Sequence, residues 1–364
     1  MQVQRLRVRD FRSYEAAEVD FGPRLTIVHG PNGAGKTNLL EALYFGCTAR
    51  SFRTANDREL VRFGAPTTRV VIEGVDADGR HELSIGFSPG EAKRMTLDGA
   101  PVERLLDAPQ RPLVAVFSPD RLELIKGVPQ LRRAHLDQLV GALWPGRAAT
   151  RRSYGEALAQ RNALLTRVRG GRADSGSLRP WDLELARFGI ELAANRARAT
   201  DLVAERFAGH ATALGLGELV RLSYRPRSRA ATPEQLVEEI ALALPNDLAR
   251  GYSTHGPHRD DLIVRREGRD LRAYGSQGEQ RLALLALLIA ERDALAAERS
   301  RPPLMLLDDV MSELDAERRE RLADLLAGYG QSVVTATEVE QVPGSDAAEA
   351  ALVAVAELGA RAAR

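Results

Sequence analysis

The spacing of apolar positions changes several times along the chain and divides it into regions. Residues 3–21 alternate in a strand-like way, and 24–29 (RLTIVH) is a short β-branched run that ends at a glycine. Beyond Thr37 the apolar residues Leu39, Leu40, Leu43 and Tyr44 take helical spacing. The three pieces together predict strand, glycine-rich turn and helix. Residues 69–97 change character: RVVIEGV, a DADG turn, HELSIGF, then MTL before DGAP predict antiparallel hairpins, and 113–117 (LVAVF) a buried strand.

The middle of the chain reads as helical. Tyr154, Leu158, Leu165 and Val168 share one stripe, and a breaker (GGRADSGSLRP) occupies 170–180. Trp181, Leu185, Phe188, Leu192, Ala199, Val203 and Phe207 then recur every three or four residues over 181–210. A helix of ~30 residues is roughly 45 Å long. The pattern predicts two antiparallel helices, a short arm whose stripe is packed core rather than a free coiled coil. From about 252 the chain returns to mixed α/β. A turn (YGSQGEQR) precedes 282–299, whose first half is apolar on every side and so predicts a buried helix. The segment 303–309 (PLMLLDD) predicts a buried strand ending in acids, 331–337 (QSVVTAT) another strand, and the alanine-rich last twenty residues are expected to fray. The simplest organisation is an α/β head made of both chain ends, 1–125 and 252–364, with a helical arm, 126–251, inserted between them.

Composition narrows the class. With 44% hydrophobic and 28% charged residues, the 364-residue chain is neither disordered nor a membrane protein. Its longest apolar run, 282–290, is nine residues, against about 20 for a membrane span. The charged start (MQVQRLRVRD) has no apolar core for a signal peptide, and the single Cys47 excludes an internal disulfide and a cysteine-rich metal site, so a cytoplasmic location is expected. A net charge of +1 means that any DNA contact must come from a local basic patch. Arg132 and Arg133, Arg147, Arg151 and Arg152, and the arginines within 221–229 offer such patches, with a solvated helix face as the alternative.

Lysine occurs only at positions 36, 93 and 126, which gives the next motif its weight. The stretch 30–37 (GPNGAGKT) fits G-x-x-x-x-G-K-[ST], a pattern expected by chance on the order of 0.002 times in a chain of this composition. In such a loop Gly30, Pro31, Asn32, Gly33, Ala34 and Gly35 present backbone amides to phosphates. Lys36 reaches the β- and γ-phosphates, and the Thr37 hydroxyl ligates Mg²⁺. Asp308 and Asp309 end a buried strand, as the acids that hold Mg²⁺ and polarise the attacking water do in P-loop enzymes. Ser276 and Gly278, in SQGEQR, sit where a helix starts, and Ser276 with Glu279 fits a capping box. His255 and His258 form H-x-x-H beside Asp260 and Asp261, but the Gly-Pro between them favours a turn over a metal site.

In this order the elements resemble the ATP-binding-cassette class of P-loop ATPases. The RLRVRDFRSYEAAEVDF start, ARSFRT (49–54), FSPDRLELIKGVPQLRRAHLD (117–137) and THGPHRDDL (254–262) resemble the RecF family of bacterial recombination mediators over nearly the whole chain. The resemblance implies a two-lobed ATPase head, similar to the heads of SMC-type ATPases, that dimerises on ATP, binds DNA at gaps or junctions, and helps RecO and RecR load RecA. It implies ATP and Mg²⁺ as cofactors and weak, DNA-dependent hydrolysis. By the same resemblance Ser276 and Gly278 cap, in trans, the ATP on the partner's P-loop. Thr37 and Asp308 hold the metal, Asp309 activates water, Asp315 belongs to a dimer-linking loop, and Arg12 lies near the nucleotide. Two departures stand out: Asp309 replaces the glutamate usual in cassettes, and 331–337 ends in Thr335 to Thr337 rather than a switch histidine. No glutamine occurs in 117–121 for a Q-loop. A transporter ATPase subunit and a non-hydrolysing ATP-binding scaffold are the alternatives.

Overall fold

The computed structural model describes residues 1–105, 108, 110–328 and 330–361. Contacts divide the chain into two compact units, Met1–Arg121 with Leu295–Arg364, and Leu122–Ala294. The sequence reading placed the return to the first unit at 252; the contacts place it 43 residues later.

In the first unit, β1 (Gln2–Phe11) and β2 (Tyr14–Asp20) split the single strand-like stretch into a hairpin, turning at Arg12 in the left-handed region with φ 52°. Next come β3 (Leu25–His29) and α1 (Lys36–Thr48). The expected hairpins follow as β4 (Thr68–Asp76), β5 (Gly79–Phe87), β6 (Arg94–Leu97) and β7 (Ala100–Pro101), then β8 (Val114–Phe117). The first hairpin and β4–β7 form a six-stranded antiparallel sheet, β2-β1-β4-β5-β6-β7.

The second unit opens with α2 (Glu123–Lys126), α3 (Pro129–Leu143), α4 (Ala148–Arg169) and α5 (Arg179–Ala213). The two arm helices run antiparallel: early in α4, Thr150 donates to Glu191, and later Arg161 donates to Asp182. The predicted stripe is core, with Leu185, Leu192, Ala199, Val203 and Phe207 all buried. A small sheet, β11-β10-β9, comprises β9 (Val220–Arg225), β10 (Asp261–Arg266) and β11 (Arg269–Asp270). Between its strands lies α6 (Pro233–Arg250), and after it α7 (Leu271–Tyr274) and α8 (Gln277–Arg299). The division between units falls inside α8, whose residues 282–292 are buried as the all-round apolar pattern required.

Back in the first unit are β12 (Leu304–Leu307), α9 (Ala316–Ala327), β13 (Ser332–Ala336), β14 (Ala350–Ala354) and α10 (Val355–Arg361). Within the alanine-rich end, residues 350–361 form a strand and a helix rather than fraying, and 362–364 lie outside the described residues. β14 pairs parallel to β3 from Ala350↔Leu25 to Ala354↔His29, and Val353, Val355 and Leu358 are buried. The result is a five-stranded sheet, β14-β3-β13-β12-β8, in which every pairing is parallel.

One core joins α1 to both sheets of this unit: Leu39, Leu40 and Leu43 pack with Val8, Ile72 and Leu83 and with Val28, Leu306 and Val333. Burying a leucine side chain contributes ~2 kcal/mol, so the helix that follows the phosphate-loop motif is held firmly from both sides. Its approach to β4 needs Gly46, where a Cβ would meet Ile72 Cγ1 at 2.5 Å. Cys47, next to it, is fully buried, and burial pushes its thiol up to about 12.

Candidate nucleotide site

Every strand of the parallel sheet points its carboxyl end to one edge, the place where ligands bind in open α/β sheets. From β3 the chain enters 30–37 through Gly30, whose amide donates to Ala336 O at 3.3 Å. Gly33 and Gly35 take φ of 80° and 109°, and at Gly35 a Cβ would also strike the Tyr14 hydroxyl at 2.9 Å. That hydroxyl donates to Gly35 O at 3.1 Å and fixes the end of the loop against the β1–β2 hairpin.

Lys36 donates to the carbonyls of Gly30 at 2.7 Å and Pro31 at 3.1 Å, so its ammonium lies across the loop's own mouth. Thr37 donates to the Asp308 carboxylate, 2.9 Å from Oδ2 and 3.1 Å from Oδ1. The two residues expected to hold the metal, 271 positions apart, are therefore in contact. Asp309 follows with φ 50°, a strained conformation for a residue other than glycine, and its Oδ1 is buried without a partner.

Thr335, noted in the sequence only as the lack of a histidine, joins the two acids. Its hydroxyl donates to Asp308 Oδ1 at 2.9 Å and accepts from the Asp309 amide at 2.8 Å. Burial pushes the Asp308 carboxyl above its ordinary value, and the neighbouring charge of Asp309 adds to this. The Thr335 and Thr37 hydroxyls and the Arg53 charge oppose it. A buried acid of this kind gains from a cation, and the donor set of one hydroxyl and hard carboxylate oxygens suits Mg²⁺.

The sequence reading missed Glu41. Fully buried on α1, it accepts from Arg12 Nε and Nη2 at 2.9 and 2.7 Å, from Arg53 Nη1 at 3.1 Å and from Ser51 Oγ at 2.6 Å. Arg12 is thus close to the start of α1 but bound by a carboxylate. The one acidic residue in a largely apolar helix was the available signal.

In the second unit, Ser276 forms the expected capping box. Its Oγ accepts from the Glu279 amide at 3.3 Å and its own amide donates to Glu279 Oε2 at 2.7 Å. Gln280 fixes the preceding turn through Leu271 O at 3.0 Å and Gly275 O at 3.2 Å, and Arg266 pairs with Glu279. Ser276, Gln277 and Gly278 are left exposed on a braced helix start. In the first unit Asp315 caps α9, accepting from the Arg318 amide at 2.9 Å.

Other candidates prove structural. His258 Nδ1 accepts from Tyr154 at 2.7 Å and its Nε2 donates to Ser253 O at 2.9 Å, while His255 pairs with Glu239 at 2.6 Å. No cluster of three or more metal-type side chains occurs among the described residues. Arg132 is buried and bidentate on Asp261, Arg133 bonds Asp260 O and Arg147 bonds Asn195, so these are braces, whereas Arg151 bonds Asp137 with its side chain 56% exposed and Arg152 is exposed. The arginines of 221–225 lie on strand β9, not on a helix face. In the first unit Gln331 ties Val3 to Gly22: its Oε1 accepts from the Val3 amide at 3.0 Å and its Nε2 donates to Val3 O at 2.7 Å and Gly22 O at 2.8 Å.

The profile of the RecF/RecN/SMC N-terminal domain family matches residues 2–356. The DNA replication and repair protein RecF of Anaeromyxobacter sp. is 40% identical over 366 residues, covering 96% of each chain. That of Streptomyces avermitilis is 38% identical and covers 94% of this chain and 95% of its own. The chain belongs to the RecF family. A solved structure of the recombination mediator RecF-ATP in the RecFOR pathway superposes with a TM-score of 0.83 at 27% identity, over 93% of this chain and 92% of that one. An SMC head bound to the C-terminal winged-helix domain of ScpA shares the fold at a TM-score of 0.55 and 18% identity. The fold is accordingly the ABC-type ATPase head of RecF and SMC proteins, as its α/β pattern and motifs implied. No helix among the described residues is long and apolar enough to cross a membrane.

Proposed function

We propose that this RecF-family chain is an ATP-dependent, DNA-binding recombination mediator. Its ATP-bound dimer clamps DNA at gaps or junctions and, with RecO and RecR, helps load RecA during replication and repair. The observation that carries this is the contact between the Thr37 hydroxyl and the Asp308 carboxylate beside a phosphate loop, with the buried Asp309 Oδ1 left free. The RecF names of its relatives supply the pathway.

The amides of 30–37 and the dipole of α1 receive the phosphates. Lys36 exchanges the carbonyls of Gly30 and Pro31 for the β- and γ-phosphate oxygens. Thr37 and Asp308 hold Mg²⁺, which neutralises phosphate charge when bound. Asp309 accepts the proton of the attacking water. Arg12 stands near the nucleotide, shared with Glu41. Ser276 and Gly278, on their exposed and braced helix start, cap the nucleotide on a second copy's loop, and Asp315 belongs to the segment linking the two copies. An aspartate one methylene shorter than the usual glutamate, and a threonine in place of a switch histidine, make hydrolysis slow. That suits a timed clamp.

The test is the sedimentation coefficient with Mg-ATP, with Mg-ADP and without nucleotide. A monomer that dimerises only with ATP supports the clamp, and a monomer in all three conditions refutes it. Lys36→Arg should keep ATP binding and lose turnover. Ser276→Arg should block dimerisation while the monomer still binds ATP; a normal dimer would remove the trans role from Ser276.

A further inference from the structure

Two buried side-chain oxygens at the carboxyl edge of the parallel sheet have no hydrogen-bond partner, Oδ1 of Asp309 and Oγ of Ser118. Native folds keep few such groups, and each calls for an explanation. Ser118, with 2% exposure, directly follows β8, the neighbour of the acid-bearing strand β12.

The register places Ser118 beside the acids. Leu306 pairs with Val116 and Leu307 with Phe117. The Asp308 amide then donates to Phe117 O at 2.9 Å, carrying the ladder one residue further and setting Ser118 against Asp308. Leu306 and Val116 belong to the same core beneath α1. Side chains alternate along a strand, so Asp308 and Ser118, two residues on, return to that face, where Asp308 meets Thr37 on α1. The backbone carbonyl of Ser118 already accepts from Arg121 at 3.0 Å. Its hydroxyl has no partner.

We propose that Ser118 is a positioning residue for hydrolysis, holding the attacking water together with Asp309. One water proton faces Asp309 Oδ1 and the other is accepted by Ser118 Oγ, which leaves the water's lone pair aimed at the γ-phosphorus. The new bond forms from that oxygen as the bond from the phosphorus to the β–γ bridging oxygen breaks. The bridging oxygen keeps the electron pair and leaves with ADP, and the proton on Asp309 passes to solvent. Ser118 takes this part only if the first unit hydrolyses ATP, the function proposed above.

The experiment uses the full chain with Ser118→Ala, Ser118→Thr, Asp309→Asn, the Ser118→Ala/Asp309→Asn pair and Lys36→Ala. It reads single-turnover hydrolysis, affinity for a fluorescent ATP analogue with Mg²⁺, and the thermal midpoint without nucleotide. Ser118→Ala should hydrolyse about 10- to 100-fold more slowly with unchanged nucleotide affinity. Its thermal midpoint should be equal or higher, because an unpartnered hydroxyl has been removed. Ser118→Thr should recover most of the rate, and the paired variant should be no slower than Asp309→Asn alone. Unchanged hydrolysis in Ser118→Ala, a lowered midpoint, weakened nucleotide binding, failure of Ser118→Thr to recover the rate or additive losses in the pair would each overturn the assignment. If instead the parent chain and Lys36→Ala release phosphate equally, the ATPase function itself has failed, and Ser118 falls with it.

Discussion

Removing the Glu41 carboxylate should be among the most damaging single changes in the first unit. Glu41 is fully buried and takes four hydrogen bonds, two from Arg12, one from Arg53 and one from Ser51. In Glu41→Ala, Arg12 keeps only Glu59, at 3.9 Å, with its own side chain 17% exposed. Breaking a buried pair by removing one partner costs about 3–5 kcal/mol. Arg53 is 35% exposed and water can solvate it, so the lower end applies, about 3 kcal/mol. For a unit of this size that is a fall of about 6–12 °C in thermal midpoint, read by calorimetry without nucleotide. The variant Arg12→Ala/Glu41→Ala removes both charges rather than stranding one, and should recover about 1 kcal/mol. A Glu41→Ala midpoint within about 2 °C of the parent, or strictly additive losses in the pair, would show that Glu41 does not hold the β1–β2 turn on α1.

Three further outcomes are expected. Burial lowers His258 from 6.5 to about 4, so the fold resists its protonation, and stability should fall as pH drops from 6.5 toward 4. The loss is about 3 kcal/mol, and replacing His258 with Gln should flatten the dependence of the melting midpoint on pH over that range. His81 is the reverse case: its hydrogen bond to Asp98, helped by Asp76, raises its pKa. This charge-dependent contribution is therefore full below the ordinary value of 6.5 and lost as pH climbs through the raised one, so His81→Ala should cost more stability at pH 5.5 than at high pH. Arg132→Ala should destabilise the second unit by about 3 kcal/mol. It should leave the salt slope of DNA affinity unchanged, whereas a phosphate contact would reduce that slope by about 1.

What the sequence made legible is the set of elements whose local pattern and global role agree. The phosphate loop, the acid-tipped strand and the capping box each combine a required residue type with its own flanking element, and each appears where expected. β9 failed for the opposite reason. Its arginines suggested a solvated helix, yet VRLSYR has period two, with Val220 and Leu222 buried and Arg221 exposed between them. The pattern was present and the charge obscured it. The unit boundary offered no such cue, because the division falls within one continuous helix and no change of period marks it.

β14 and Thr335 depend on partners far away in sequence, which is why local propensity could not reveal them. Ala350 to Ala354 form a strand because β3, more than 300 positions earlier, presents an unpaired edge, and ladder bonds outweigh the weak strand preference of alanine. Thr335 is a hydroxyl residue in a strand buried along its length, with 0% exposure. A buried hydroxyl must find a partner, so the residue type alone demanded a polar neighbour. Only the parallel register of β13 on β12, Val334 against Leu307, reveals that this neighbour is Asp308. The same logic reaches Ser118 from the other side of β12. Two hydroxyls, one in β13 and one just past the end of β8, carry the same sequence signal, a polar residue at the end of an apolar run. Thr335 has its partners within the fold, and Ser118 has none. That contrast separates a residue that braces the acids from one whose hydroxyl is free to meet the water of hydrolysis.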